Sequence, residues 1–354
     1  LRFIHIADVH LGARPDREMP WSAEREKEVF DTFRALIARI QDDPVDILLI
    51  AGDLFHRQPL LGKLKEVDYL FRTIPATRIY LSAGNHDYIR KDSSYNNFVW
   101  ADNVFFFREE EVQVVKDPLL DVFIYGFSYH SREIREDILE GLEAQDENGV
   151  HILMAHGGDD RHVPFNVREL LNSGFDYVAL GHIHKPSVIV RNRAAYPGAL
   201  EPIDRDDFGE HGYIEGVWQN GRLSLSFVPF ACRSYEQIIL EVDETSTQNS
   251  LEDALREEIK DRGEENMYRV ILHGYRSPDL LLIPERFFPL GQITEVENET
   301  RPMYNMEEIR RHYSGTLIGD YINAFQGREL SLVEEKALYY GVQALMETSR
   351  VRRY

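Results

Sequence analysis

IHIADVHLG, residues 4–12, is an aliphatic run that breaks into Asp8 and His10, and the same plan recurs four more times along the chain. AGDLFHRQ (51–58), SAGNHDY (82–88), ILMAHGG (152–158) and ALGHIHKP (179–186) each carry a short apolar run into Asp, Asn or His. The runs at 2–7, 46–51, 78–83, 151–155 and 177–180 are near-continuously apolar, the mark of strands buried on both faces. Amphipathic stretches separate them, so the chain reads as α/β. In such sheets ligands gather beyond the carboxyl ends of the strands, where residues distant in sequence converge. The converging set is Asp8, His10, Asp53, Asn85, His156, His182 and His184. Strand alternation would aim both members of Asp8-x-His10, and both of His182-x-His184, to one side if the strands persist that far.

Two carboxylates, one amide oxygen and four imidazoles are too many groups for one tetrahedral zinc. They are too rich in nitrogen for calcium or an all-oxygen magnesium site. Two divalent ions about 3.5–4 Å apart fit better, and such pairs act on phosphate esters. A carboxylate must bridge them, and Asp53, between the two groups in sequence, is the natural choice. Mixed oxygen and imidazole ligation suits Mn²⁺ best, with Fe²⁺ or Zn²⁺ as competitors. His86 directly follows a ligand and suits general acid work near neutral pH, or hydrogen bonding behind the metals. His56 reads equally as catalytic or structural, and Asp87 as an orienting group. Gly12, Gly52, Gly84, Gly157 and Gly181 accompany the strand ends, where tight turns and close backbone approach require glycine. Other histidines, among them His5, His151, His162 and His211, lack motif context and read as ordinary.

The pattern resembles the calcineurin-like metallophosphoesterase superfamily over about residues 1–230, and within it the SbcD-type, meiotic-recombination-eleven-like DNA repair nucleases. IHIADVHLG, AGDLFH with His56 three residues after Asp53, and GNHD at 84–87 carry the narrower likeness. The resemblance implies a metallophosphoesterase β-sandwich flanked by helices. It implies one metal on Asp8, His10 and His184, a second on Asn85, His156 and His182, and Asp53 shared. It assigns His86 to the transition state or leaving oxygen, with His56 assisting. The implied reaction is Mn²⁺-dependent cleavage of DNA, exonucleolytic on duplex ends and endonucleolytic on single strands or hairpins. The implied partners are DNA and a coiled-coil ABC ATPase of the SbcC type, with a homodimer as a further family expectation. Rival readings are a small-molecule phosphodiesterase of the same superfamily and a non-catalytic scaffold for DNA ends or the ATPase. The intact ligand set weighs against the scaffold.

A nuclease domain is placed at 1–232, a smaller α+β capping domain at 233–304 and a C-terminal helical segment at 305–354. Expected helices run from a Ser22 cap to Gln41, from Leu60 to Thr73, from near Ser131, and from an Asn166–Glu169 capping box to Gly174. In the second part a strand at Tyr235–Val242 leads to a helix capped by Ser250 and stopped by Gly263. Strands follow at Met267–Gly274 and Gln292–Val296. Two helices close the chain, opened by Asn305 with Glu308 and Ser331 with Glu334, and separated by Gly327. The last presents Tyr339, Tyr340, Val342, Leu345 and Met346, which reads as a packing face before it reads as a docking face.

The 354 residues carry a formal charge of −21, which argues against a wholly basic nucleic-acid binder. The single cysteine, Cys232, forms no internal disulfide and points to a cytoplasmic setting. No run approaches the roughly 18–20 apolar residues of a membrane span. Local cations do flank the motifs: Arg57, Lys63 and Lys65, then Arg90 and Lys91, then Lys185, Arg191 and Arg193. They are expected on a rim where a phosphate backbone would approach.

Overall fold

The computed structural model describes residues 1–117, 119–145 and 147–351. The chain divides into two compact units, Leu1–Glu236 and a second beginning at Gln237. In the first, the elements in order are β1 (Arg2–Ile6), α1 (Ser22–Asp42), β2 (Ile47–Ala51), α2 (Leu61–Arg72), β3 (Arg78–Ser82), β4 (Val104–Phe106), β5 (Gln113–Asp117) and β6 (Val122–Gly126). There follow β7 (Val150–His156), α3 (Val167–Asn172), β8 (Tyr177–Gly181), β9 (Ser187–Val190), β10 (Ala194–Tyr196), β11 (Gly212–Gln219) and β12 (Arg222–Pro229).

These strands form two six-stranded sheets, ordered β12-β11-β1-β2-β3-β4 and β5-β6-β7-β8-β10-β9. The five runs that end in candidate ligand residues are therefore divided, three neighbours in one sheet and two in the other. Their continuous hydrophobicity follows from packing on both faces. Phe3, Ile47 and Leu49 meet Ile124, Ile152, Met154 and Ala179 in one core between the sheets. The alternate residues Ile4, Ile6, Leu48 and Ile50 pack beneath Val29, Phe33, Ile37 and Leu64 of α1 and α2. On the far side, Leu153, Val178 and Leu180 pack against Leu170 and Leu171 of α3. Each fully buried aliphatic side chain contributes roughly 1.5–3 kcal/mol, so both faces of each strand stabilise the sandwich.

One buried ion pair fastens the loop between β10 and β11. Glu201 accepts from Arg25 Nη2 at 3.2 Å and from Thr32 Oγ1 at 2.8 Å. Arg25 also donates to the Pro202 carbonyl at 2.8 Å, which holds that loop on α1.

Several expected boundaries differ. Ser22 is the first residue of α1 and not its cap, because its hydroxyl donates to the Pro15 carbonyl at 2.7 Å. No helix starts at Ser131. That segment is instead bound to another, Ile134 N–H donating to the Arg161 carbonyl at 3.0 Å and Val163 N–H to the Ile134 carbonyl at 2.7 Å.

The second unit holds β13 from its third residue on (Tyr235–Val242), α4 (Gln248–Arg262), β14 (Met267–Arg276), β15 (Gln292–Asn298) and β16 (Arg301–Pro302). Leu251, Leu255 and Ile259 of α4 pack on Ile238, Leu240, Val270 and Ile293. Thr247 caps α4 and Ser250 is its reciprocal partner three residues on, so the expected Ser250 cap moves by one turn. Among the described residues, the close of the chain contains three helices where two were expected: α5 (Met306–His312), α6 (Leu317–Asn323) and α7 (Leu332–Val351). The first expected helix breaks where Gly315 adopts φ +75°. Val342 of α7 is buried against Ile318 and Ile322 of α6, so this face is occupied within the unit, while Tyr340 stays exposed. Among the described residues, no helix is long and apolar enough to cross a membrane.

Gly181, at the end of β8, marks a tight approach between the two sheets. A Cβ there would collide with the Ala51 carbonyl oxygen and come within 2.9 Å of the Ala7 Cβ. Gly181→Ala is expected to cost about 1–3 kcal/mol in urea unfolding, as overpacking does. An unchanged midpoint would contradict this packing.

Candidate metal centre

The strand ends deliver their side chains through unusual backbone. β1 stops at Ile6 and β8 at Gly181, so the strands do not persist through Asp8-x-His10 or His182-x-His184, and alternation does not aim those pairs. Asp8, His10, Asp53 and His182 instead have φ of 50°, 50°, 52° and 98°. Four non-glycine residues in this sparsely populated region represent strain of order 1–3 kcal/mol each, and such strain clusters at functional sites. Backbone bonds lace the turns together: Asp8 N–H donates to the Gly52 carbonyl at 3.2 Å and His10 N–H to the Asp53 carbonyl at 3.0 Å. Gly52 permits this, since a Cβ there would strike the His156 ring.

Each buried carboxylate is anchored by one oxygen and presents the other. Asp8 Oδ2 accepts the His182 N–H at 2.9 Å, while Oδ1 has no hydrogen-bond partner. Asp53 Oδ1 accepts the His86 N–H at 2.8 Å. Its Oδ2 lies 3.8 Å from His10 Nε2 and 3.4 Å from His156 Nε2. On one side, His10 Nε2 is 3.1 Å from His184 Nε2 and 3.8 Å from Asp8 Oδ1. On the other, Asn85 Oδ1 is 2.9 Å from His156 Nε2 and 3.2 Å from His182 Nδ1. All seven expected ligand residues are thus brought together, with Asp53 Oδ2 between two groups of donor atoms.

The buried carboxylates and imidazoles shift one another's ionisation strongly. Burial pushes the Asp8 carboxyl up. Burial also opposes ionisation of Asp53, but the neighbouring His156 outweighs it and holds that carboxyl down. His10 is driven well below the ordinary imidazole range by burial, and His182 falls to about 4 through burial and the charge of His156. Burial lowers His156 and His184 as well, yet Asp53 raises the first and Asp207 the second, each to about 9. Buried charges need pairing or metal coordination, and the orphaned Asp8 Oδ1 supplies an unsatisfied acceptor for it. The donor set therefore fits divalent cations.

Three groups behind the ligands position them. Asp159 Oδ2 lies 2.8 Å from His182 Nε2, leaving Nδ1 to face the centre. Asp207 Oδ2 lies 3.3 Å from His184 Nδ1, leaving Nε2 to do the same. The Ala51 carbonyl accepts from His156 Nδ1 at 2.9 Å. Asp159 and Asp207 were not singled out from sequence, although Asp159 follows His156 by three residues in the same strand-end turn. His162, expected to be ordinary, joins this cluster through Nδ1, 2.9 Å from Asp159 Oδ1. His211 is structural, bonded to the Ala199 and Asp207 carbonyls. Asp87 accepts from Gly84 N–H, Phe55 N–H and Tyr95 hydroxyl, so it ties the loop after β3 to the loop after β2.

His86 lies exposed at the mouth, its Nδ1 donating to the His56 carbonyl at 3.2 Å, with the two rings 5.2 Å apart. The expected cationic rim is only partly there. Arg57 and Arg90 line the cleft beside His86, but Lys63 pairs with Glu66 on α2, and Arg193 donates to the Leu171 and Phe175 carbonyls.

A profile for the family described as calcineurin-like phosphoesterase matches residues 1–186, a span that contains every strand-end ligand. The chain is 29% identical over 326 residues to YhaO of Bacillus subtilis, a metallophosphoesterase named as uncharacterized, covering 84% of this chain and 79% of that one. It is 30% identical over 223 residues to the DNA double-strand break repair protein Mre11 of Methanocaldococcus jannaschii, spanning 60% of this chain and 59% of the relative. It is 22% identical over 387 aligned positions to a subunit of the nuclease SbcCD of Staphylococcus epidermidis, spanning 98% and 99% of the two chains. With the ligand-rich strand ends, the β-sandwich and a family match over more than half its length, this chain belongs to the calcineurin-like phosphoesterases, metal-dependent enzymes that hydrolyse phosphate esters.

Proposed function

We propose that the protein is a Mn²⁺-dependent, two-metal phosphodiesterase that cleaves DNA, working as the nuclease component beside a coiled-coil ABC ATPase. The observation that carries the proposal is Asp53 Oδ2 standing 3.8 Å from His10 Nε2 and 3.4 Å from His156 Nε2, a shared oxygen between two donor groups. On this reading Asp8, His10 and His184 hold one ion, Asn85, His156 and His182 the other, and Asp53 both. DNA as substrate is supported by the similarity to a double-strand break repair protein and to a component of a nuclease. The exposed Leu317, Leu332, Val333 and Tyr340 of the terminal helices support a protein partner on the second unit.

When bound, the two cations polarise a phosphoryl oxygen and neutralise charge that develops in the displacement. The chain's own groups do the rest. Asp53 fixes the His86 backbone by accepting from its N–H, and the His56 carbonyl accepts a hydrogen bond from the ring's Nδ1–H. His86 Nε2 is thereby left free at the open mouth, and in the imidazolium form it would hold the second proton there for a leaving oxygen. Asp159 and Asp207 keep the correct nitrogens of His182 and His184 turned inward, as carboxylates behind metal-bound histidines do.

The decisive assay offers the purified chain with Mn²⁺ linear duplex DNA, hairpin DNA and bis-p-nitrophenyl phosphate. Hydrolysis of the small ester with no DNA cleavage, even with the ATPase added, would overturn the nuclease reading. His86→Ser is expected to retain both metals by elemental analysis while turnover falls by about 10²–10⁴. Asp53→Ala is expected to lose metal as well, and full occupancy in that variant would sink the bridging assignment. Asp159→Asn should weaken metal binding by about 10–100-fold in calorimetric titration with Mn²⁺. Wild-type affinity there would remove Asp159 from the centre.

A further inference from the structure

We propose that the cleft beside His86 is a subsite for a second phosphate of the substrate strand, held by Arg132 and Arg161, which makes an oligonucleotide and not a single-phosphate ester the preferred substrate. This rests on the DNA-cleaving reading above. The cleft, about 690 Å³, has Asn85, His56 and His86 of the centre along one wall and Arg57, Arg90, Arg132 and Arg161 around the rest. That volume lies within the range of pockets that enclose a small organic ligand, so it has room beyond a bare phosphate.

The charge pattern indicates what it takes. In a chain of net charge −21, guanidinium groups such as Arg2, Arg25, Arg72 and Arg233 lie against carboxylates. The one acid in the cleft wall, Glu133, is turned to Arg135 at 2.7 Å, and Arg90 is engaged by Asp92 at 3.3 Å. Arg57, Arg132 and Arg161 have no carboxylate within 4.0 Å among the described residues. Four arginines share this concavity with one carboxylate, Glu133, and such an excess of positive charge favours an anion there. Arginine suits a phosphodiester in particular, because its planar fork can donate two parallel bonds to phosphate oxygens.

The backbone places Arg132 and Arg161 together. Arg132 follows β6 and Arg161 follows β7, and the bonds between Ile134 and the 161–163 segment hold the two loops against each other. The two residues are therefore borne on loops fixed to each other before any substrate arrives, and a fixed scaffold lowers the cost of binding. Tyr88 also lines the cleft, where an aromatic side chain could stack with the base of the same nucleotide. The scissile phosphate at the metal centre and the next phosphate in this cleft then belong to one strand.

The test uses the full chain with Mn²⁺ and two thymidine substrates, the dinucleotide with one phosphodiester and the tetranucleotide with three. In wild type, kcat/KM is expected to rise by about tenfold or more from the first to the second, the scale of one charge-assisted contact. In Arg132→Gln/Arg161→Gln that gain should shrink to less than about threefold, through KM and not kcat, and Arg132→Lys/Arg161→Lys should restore part of it. Both side chains are exposed, so the fold does not depend on them. A gain that survives in the glutamine variant, or no gain in a wild type that cuts both substrates, would overturn the subsite alone. A wild type that hydrolyses bis-p-nitrophenyl phosphate and cuts neither oligonucleotide would overturn the DNA reading itself.

Discussion

Two carboxylates, Asp8 and Asp53, are held almost wholly out of water at the seam between two β-sheets, and much of the first unit is arranged to make that tolerable. An isolated buried carboxylate is strongly unfavourable, so each is given a backbone N–H for one oxygen and imidazoles beside the other. The N–H groups come from His182 and His86, residues of other strand ends. The loops must therefore be in register before either charge is accommodated, and the left-handed backbone at Asp8, His10, Asp53 and His182 is sustained by that mutual constraint.

Around this pair the molecule builds outward in layers. Ligand imidazoles face the carboxylates, and Asp159, Asp207 and the Ala51 carbonyl hold those imidazoles from behind. The loop that supplies Asp207 is itself pinned by His211 and by the buried Arg25–Glu201 pair. Stability and function are consequently difficult to separate here: the sandwich packing, the clasp on α1 and the geometry of the centre share the same loops.

The acidic balance of the chain also acquires a location. A charge of −21 disfavours tight autonomous binding to a polyanion, and several of the cations that could offset it, among them Arg2, Arg25 and Arg233, lie in ion pairs. Arg57, Arg132 and Arg161 concentrate positive charge in one cleft beside His86, next to a centre that fits divalent ions. If the substrate is DNA, as proposed above, global repulsion combined with a local cationic mouth would give modest, salt-sensitive affinity, a situation in which a partner that grips DNA would add most.

Sequence alone was sufficient for the α/β class, for the positions of the five ligand-bearing strands and for the ligand-type residues at their ends. Those features are local: apolar runs bound strands, and polar residues after them cannot stay inside a sheet. Helix starts were less legible, because Ser22 and Ser250 can cap a helix or spend their hydroxyls elsewhere, and only neighbours such as Pro15 and Thr247 decide. Tertiary structure alone divided the strands between two sheets, turned Asp53 Oδ2 toward both donor groups, and brought Asp159, Asp207, Arg132 and Arg161 to the site. The reason is separation along the chain: a carboxylate 23 residues from His182, as Asp159 is, carries no spacing signal, and only the parallel pairing of β7 with β8 puts it 2.8 Å from that ring.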